Sequence, residues 1–273
     1  MIYKGFTAVP YCLFAVILKA KRQSGAQENF VFVCLCTRLC LSLFHEDRMR
    51  LGSLSLKSKF WLGTALAFRY LCKRKTVLHK MEKTKWSENV ILVDADYVDA
   101  VAFNLIVNFE RMLNRPIPKA DLAQWLVCAA LDGGVGEGKN DIQVVLIHGK
   151  GRKALDNFTP SDFEAELDGK AFCDGHLGEF KLSSVQVENL VDGDALYLQS
   201  LEALADEKGI KRLVIVPDVE KYGLRVREIL GRAEGKDITL LAMEPQAGRG
   251  FRQEILGYSL MNALGIRGDE ICD

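Results

Sequence analysis

The chain has 273 residues, enough for one or two domains, and its 36 Lys+Arg balance its 36 Asp+Glu, so total charge singles out no class of partner. The balance hides a division: residues 1–80 hold 14 basic and 3 acidic residues, a net +11, and residues 81–273 hold 22 and 33, a net −11. Cysteine divides the same way. Cys12, Cys34, Cys36, Cys40 and Cys72 lie in the first segment, and only Cys128, Cys173 and Cys272 in the second. No CxxC pair is answered by another or by spaced histidines, and "CLCTRLC" lacks metal-site spacing, which excludes the usual zinc frameworks. Three scattered cysteines suit a reducing, cytoplasmic setting for the longer segment.

In the first segment "FTAVPYCLFAVIL" has the apolar look of a signal-peptide core, but a basic "AKRQSG" follows where a small-residue cleavage site belongs. "FVFVCLCTRLCLSLF" is short for a bilayer span and carries Arg38. The segment also lacks sustained periodicity and turn punctuation. It is expected to be an extension upstream of a natural start at Met81 rather than a folded domain, with a membrane-associated anchor as the competing reading. No membrane contact is expected of residues 81–273.

From residue 86 onward strand and helix signals alternate. "VILV", Val90 to Val93, reads as a strand buried on both faces. "YVDAVAFNLIVNFERML" has apolar residues at helical spacing and is stopped by Asn114, Pro116 and Pro118. "KADLAQWLVCAALDGG" predicts a second helix and "DIQVVLIHG" a second buried strand. Between Arg152 and Glu188 the signals weaken: "TPSDFEAEL" predicts a short helix from Ser161, and "FKLSSVQVE" alternates like a strand. "DGDALYLQSLEALADEKG" is a helix with a Leu stripe, stopped by Gly209. Then come the strand "RLVIVPD", the helix "EKYGLRVREILGRAEG", the strand "DITLLAMEP" and a closing helix "RGFRQEILGYSLMNALG". The expectation is one α/β domain over residues 86–273, a three-layer sandwich around a mostly parallel sheet of about five strands.

Acidic residues gather where two of these strands stop. If "VILVDAD" and "RLVIVPDVE" are parallel neighbours, Asp94, Asp96, Asp218 and Glu220 reach the same edge of the sheet, where open α/β sheets bind ligands. Asp194, at the start of a helix, is in a position to join them, although "VDGDAL" also makes an ordinary turn and cap. Carboxylates crowded into a small volume repel one another, and a hard divalent cation such as Mg or Mn relieves that repulsion. Asp99 reads as a first-turn acid favoured by the helix dipole, and His148 as the end of a strand.

A hydrophobic strand ending in Asp-x-Asp, followed later by one ending in Asp-x-acid before a helix, resembles the PIN-like and NYN nuclease superfamily. The resemblance implies a metal-dependent ribonuclease or phosphodiesterase acting on single-stranded or structured RNA. It implies Asp94 and Asp218 as catalytic residues, with the metal held by Asp94, Asp194, Asp218 and Glu220 and supported by Asp96. The chain departs from the family's pattern at Tyr97, where Asn is common, and at "VPDVEKYG", where Pro217, Val219 and Glu220 replace the usual residues and the aromatic moves to Tyr222. Lys221 and Arg225 on a helix, and Arg249 and Arg252 beside the Gly248 and Gly250 backbone amides, are the candidate phosphate contacts. "DADYV" also resembles the opening of haloacid dehalogenase-like phosphohydrolases, an alternative with Asp94 as nucleophile and Asp96 as acid/base. Because a net −11 repels nucleic acid, a third reading keeps the same fold as a binding or regulatory module with a decayed site, working through a protein partner or homodimer.

Overall fold

The computed structural model describes residues 85–187 and 193–271. Expectations for residues 1–80, Asp192 and Cys272 lie outside the described residues. Strand β1 (Asn89–Asp94) leads into α1 (Ala95–Leu113), then β2 (Ala120–Asp121), α2 (Leu122–Asp132), β3 (Asn140–His148) and β4 (Phe158–Thr159). A π-helical turn at Phe163–Leu167 precedes β5 (Ala171–Asp174), β6 (Gly178–Gln186), α3 (Gly193–Asp206), β7 (Arg212–Val216) and α4 (Val219–Leu230). The chain continues with β8 (Asp237–Ala242), β9 (Arg252–Ile255), α5 (Leu256–Ala263) and a 3₁₀ turn at Gly268–Glu270.

Seven strands form one sheet in the order β5-β6-β3-β1-β7-β8-β9, where about five were expected. Every neighbouring pair is parallel except β5 with β6. β5 falls in the weakly patterned stretch after Arg152. β9 corrects the closing helix: "RQEI" pairs in parallel with β8, Thr239 opposite Arg252, and only from Leu256 does the chain become helical. Its side chains alternate between exposed and half-buried, the pattern of an edge strand rather than a helix.

The chain builds outward from β1 through β3 to β6, returns to lay β7 on the other side of β1, and builds outward again through β8 to β9. β1 and β7 are therefore the adjacent strands whose following connections diverge, the position at which such sheets form a crevice. Their register is in step from Asn89 opposite Arg212 to Val93 opposite Val216, so both strands end together.

The continuous Val/Ile/Leu runs are explained by burial on both faces. Ile91, Val93, Val144, Leu146, Val214 and Val216 join residues of α1, α2 and α5 in one apolar cluster. Val90, Leu92, Val145, Ile147, Leu213 and Ile215 join α3 and α4 in the other. Among the described residues no helix is long and apolar enough to cross a membrane. Leu92, fully buried in the central strand, carries the test of this core: Leu92→Ala is expected to lower unfolding stability by about 2–5 kcal/mol in urea denaturation, with the slope unchanged.

Candidate functional site at the ends of the central strands

Asp94 is the last residue of β1 and the N-cap of α1. Its Oδ1 accepts from the Tyr97 backbone N–H at 3.1 Å, and its Oδ2 accepts from the Tyr222 hydroxyl at 2.6 Å. Asp218 stands two residues beyond β7 as the N-cap of α4. It accepts from the Lys221 N–H at 3.1 Å and pairs with the Lys221 ammonium at 2.6 Å. Its own backbone N–H donates to the Tyr222 hydroxyl at 3.0 Å. One phenol oxygen thus ties the end of β1 to the end of β7.

The backbone leaves helical geometry at Tyr222, with φ −135° and ψ 20°. The Tyr222 ring packs 5.4 Å from that of Tyr197 on α3, and the Tyr197 hydroxyl donates to the Leu92 carbonyl at 3.2 Å.

Burial pushes the Asp94 carboxyl above its ordinary pKa; the hydrogen bonds from Tyr222 and Tyr97 oppose this, and the negative charges of Asp96 and Asp218 add to it. Burial, then the charges of Asp218, Glu220 and Asp94, push the Tyr97 phenol up to about 12. Burial, the neighbouring Tyr197 and Asp94 push Tyr222 up as well, so it remains a hydroxyl donor. The Lys221 ammonium is stabilised first by its hydrogen bond to Asp218, and also by the charges of Asp218, Asp94 and Asp194. Three carboxylates singled out from the sequence therefore act on one cation, and that cation belongs to the protein.

The other expected site residues divide. Glu220 is exposed in the first turn of α4, its charge reaching Tyr97. Arg225 is exposed one turn beyond Lys221, and Arg249 is exposed in the β8–β9 connection. Asp96 turns toward β3 instead: its Oδ2 accepts from the Gly149 N–H at 2.7 Å and its Oδ1 from Arg152 Nη1 at 3.1 Å. Arg252 leaves the site. It reaches the opposite end of the strands, donating to the Gly133 carbonyl at 3.0 Å and the Thr239 hydroxyl at 3.2 Å and pairing with Asp237. The cause is that Arg252 opens a strand rather than a helix. Among the described residues, no three His, Cys, Asp or Glu side chains stand together as a ready-made metal-ligand set.

Sequence reasoning missed the role of Asp99. It is only 2% exposed, pairs with Arg152, and accepts from the Asn157 N–H at 2.9 Å. Arg152 also bonds Asp156 at 3.0 Å, so one guanidinium serves three carboxylates. The signal was an acid placed within the apolar stripe of Val98 and Ala102, beyond the first turn's need for charge. At Gly149 an added Cβ would lie 2.6 Å from Asp96 Oδ2, so the contact needs glycine. Beside it His148 is buried and stacks on Phe163 at 3.8 Å, and burial pulls its imidazole pKa down.

A mostly parallel α/β domain with two aspartates joined through a tyrosine at its central crevice is the class these features define. The chain belongs to a family of unknown function, DUF6621, whose profile matches residues 83–271. No curated protein and no solved structure matches it.

Two measurements follow. Removing Arg152 leaves the buried Asp99 charge uncompensated, so Arg152→Met is expected to cost about 3–5 kcal/mol of unfolding stability. For Asp94 the folded-state pKa lies above that of the unfolded chain, so the native state holds a proton that the unfolded state has released. Stability therefore falls as pH rises through the carboxylate range, and the penalty is complete at neutral pH. Asp94→Asn, which keeps a capping side chain, is expected to raise the unfolding midpoint at neutral pH, the gain closing as the solution is acidified.

Proposed function

We propose that the domain is a metal-assisted phosphodiesterase acting on RNA, a three-layer PIN-like fold with its site between Asp94 and Asp218. The observation that carries this reading is the Asp94–Tyr222–Asp218 connection at the crevice between β1 and β7, with the Lys221 ammonium paired to Asp218 at 2.6 Å. The Lys221 ammonium is the stand-in: where the Asp218 carboxylate holds a monovalent cation beside Asp94, a divalent cation with oxygen ligands suits the same donor chemistry. Asp94 and Asp218 are the residues that would hold it, with Asp194 and Glu220 beside them. Such an ion, when bound, supplies charge neutralisation at a phosphodiester and an activated water.

The protein's own groups have separable tasks. Tyr222 holds Asp94 in one orientation while accepting from the Asp218 N–H. Arg225 and Arg249 supply positive charge for substrate phosphates, and Lys221 joins them when displaced from Asp218. Among the described residues two free thiols, Cys128 and Cys173, suit a cytoplasmic location.

The dehalogenase-like alternative asks Asp96 to exchange protons, and its engagement by the Gly149 N–H and Arg152 disfavours that role. A second reading has its own support: the close Lys221–Asp218 pair also suits a module that uses the fold for binding and has replaced its metal by lysine.

Calorimetric titration of manganese into the protein separates the two. Binding to the wild type that Asp94→Asn and Asp218→Asn abolish, followed by manganese-dependent cleavage of single-stranded RNA, is the expected result. Lys221→Met is expected to bind manganese about tenfold tighter or more, because a like charge has left the site. Heats that are the same in the wild type and both asparagine variants would sink the enzyme reading.

A further inference from the structure

We propose that the turn after β3 is a phosphate-binding element, in which Lys150 and Lys153 grip the backbone of a single-stranded RNA at the rim of the site. This rests on the nucleic-acid reading above and adds a contact surface on the β3 side of the crevice.

Position is the first ground. Asp94 stands opposite Ile147 in the parallel register, and the Gly149 N–H bonds Asp96, two residues from Asp94. The turn therefore abuts the corner at which β1 becomes α1. The Arg152 N–H closes onto the Gly149 carbonyl at 3.3 Å, and Gly151 has φ +77°, the conformation a type II turn requires at its third position. Lys150 occupies the second position and is exposed.

The second ground is how firmly this short loop is held. Burying a carboxylate is costly unless it is paired and hydrogen-bonded, yet Asp99 is buried and engaged by Arg152 and the Asn157 N–H. Asp96 and Asp156 complete the grip on the guanidinium. Farther on, the Lys153 carbonyl accepts from the Phe163 N–H at 2.9 Å. These contacts hold in one place the backbone that carries Lys150 and Lys153.

Charge is the third ground. Arg152 is neutralised by three carboxylates, and on the far side of the crevice Lys221 is paired with Asp218. Lys150 and Lys153 are exposed and make no ion pair among the described residues. In a segment of net charge −11, phosphate neutralisation has to come from cations placed locally. These two are free and stand on the site's own edge.

The test uses the full-length protein carrying Asp94→Asn to prevent cleavage. Its binding to a fluorescein-labelled oligouridylate is followed by anisotropy over a range of potassium chloride. Adding Lys150→Ala and Lys153→Ala is expected to weaken binding at low salt about tenfold or more. It should also reduce the slope of log affinity against log salt by about 1.4, two contacts at about 0.7 each on a single strand. Lys150→Arg with Lys153→Arg should restore the slope, because charge rather than side-chain shape is what the backbone feels. A parental slope in the alanine pair, with RNA still bound, overturns this assignment and leaves the nuclease reading standing. If the Asp94→Asn protein binds no oligouridylate at any salt concentration and the wild-type protein with manganese neither binds nor cleaves it, the nucleic-acid reading falls and takes the turn's role with it.

Discussion

The in-step pairing of β1 with β7 is the constraint on which the rest depends. Because Val93 lies opposite Val216, both strands stop at one level, and the residues just beyond them are delivered to the same crevice from segments more than a hundred positions apart. A slip of one residue would exchange the two apolar faces of β7 and break both core clusters at once. The precision of the Asp94–Tyr222–Asp218 connection is thus inherited from the packing of Val, Ile and Leu beneath it.

Above that platform, electrostatics separates two functions that a sequence reading merges. Asp94 and Asp96 are neighbours in an Asp-x-Asp, yet a helical start sends them different ways: one to Tyr222 and the β7 side, the other to Gly149 and the β3 side. The first is linked through Tyr222 to Asp218 and its Lys221 ion pair, the second to a set satisfied by Arg152. The protein keeps these charges within one small region because each set has its own positive partner. Both partners, Lys221 and Arg152, come from the chain that immediately follows a central strand.

Much of this was legible in the order of residues. The strands "VILV", "VVLI", "RLVIV" and "ITLLA" are apolar runs too short for helices and rich in β-branched residues, and each is a strand of the sheet. The meeting of Asp94 with Asp218 through Tyr222 was legible in the strand ends and needed only that β1 and β7 be neighbours. Strand β5 escaped in a weakly patterned stretch, and three further features escaped with it. β9 hid because "RQEILGYSL" has helical spacing throughout, and only the free edge of β8 makes its first four residues a strand. The direction of Arg252 followed from that error. The role of Asp99 depends on Arg152 and Asn157, more than fifty residues away, and no local pattern records such partners.

The two outer strands bear on how copies of the molecule meet in concentrated solution. β5 and β9 are each four residues long, so the sheet offers only brief rows of unpaired backbone groups to another sheet. On β9 the outward positions are Arg252 and Glu254, and a foreign strand aligning there would have to settle beside charged side chains. A seven-stranded sheet with a strongly apolar interior is in this way guarded against growing from its ends into larger β-assemblies.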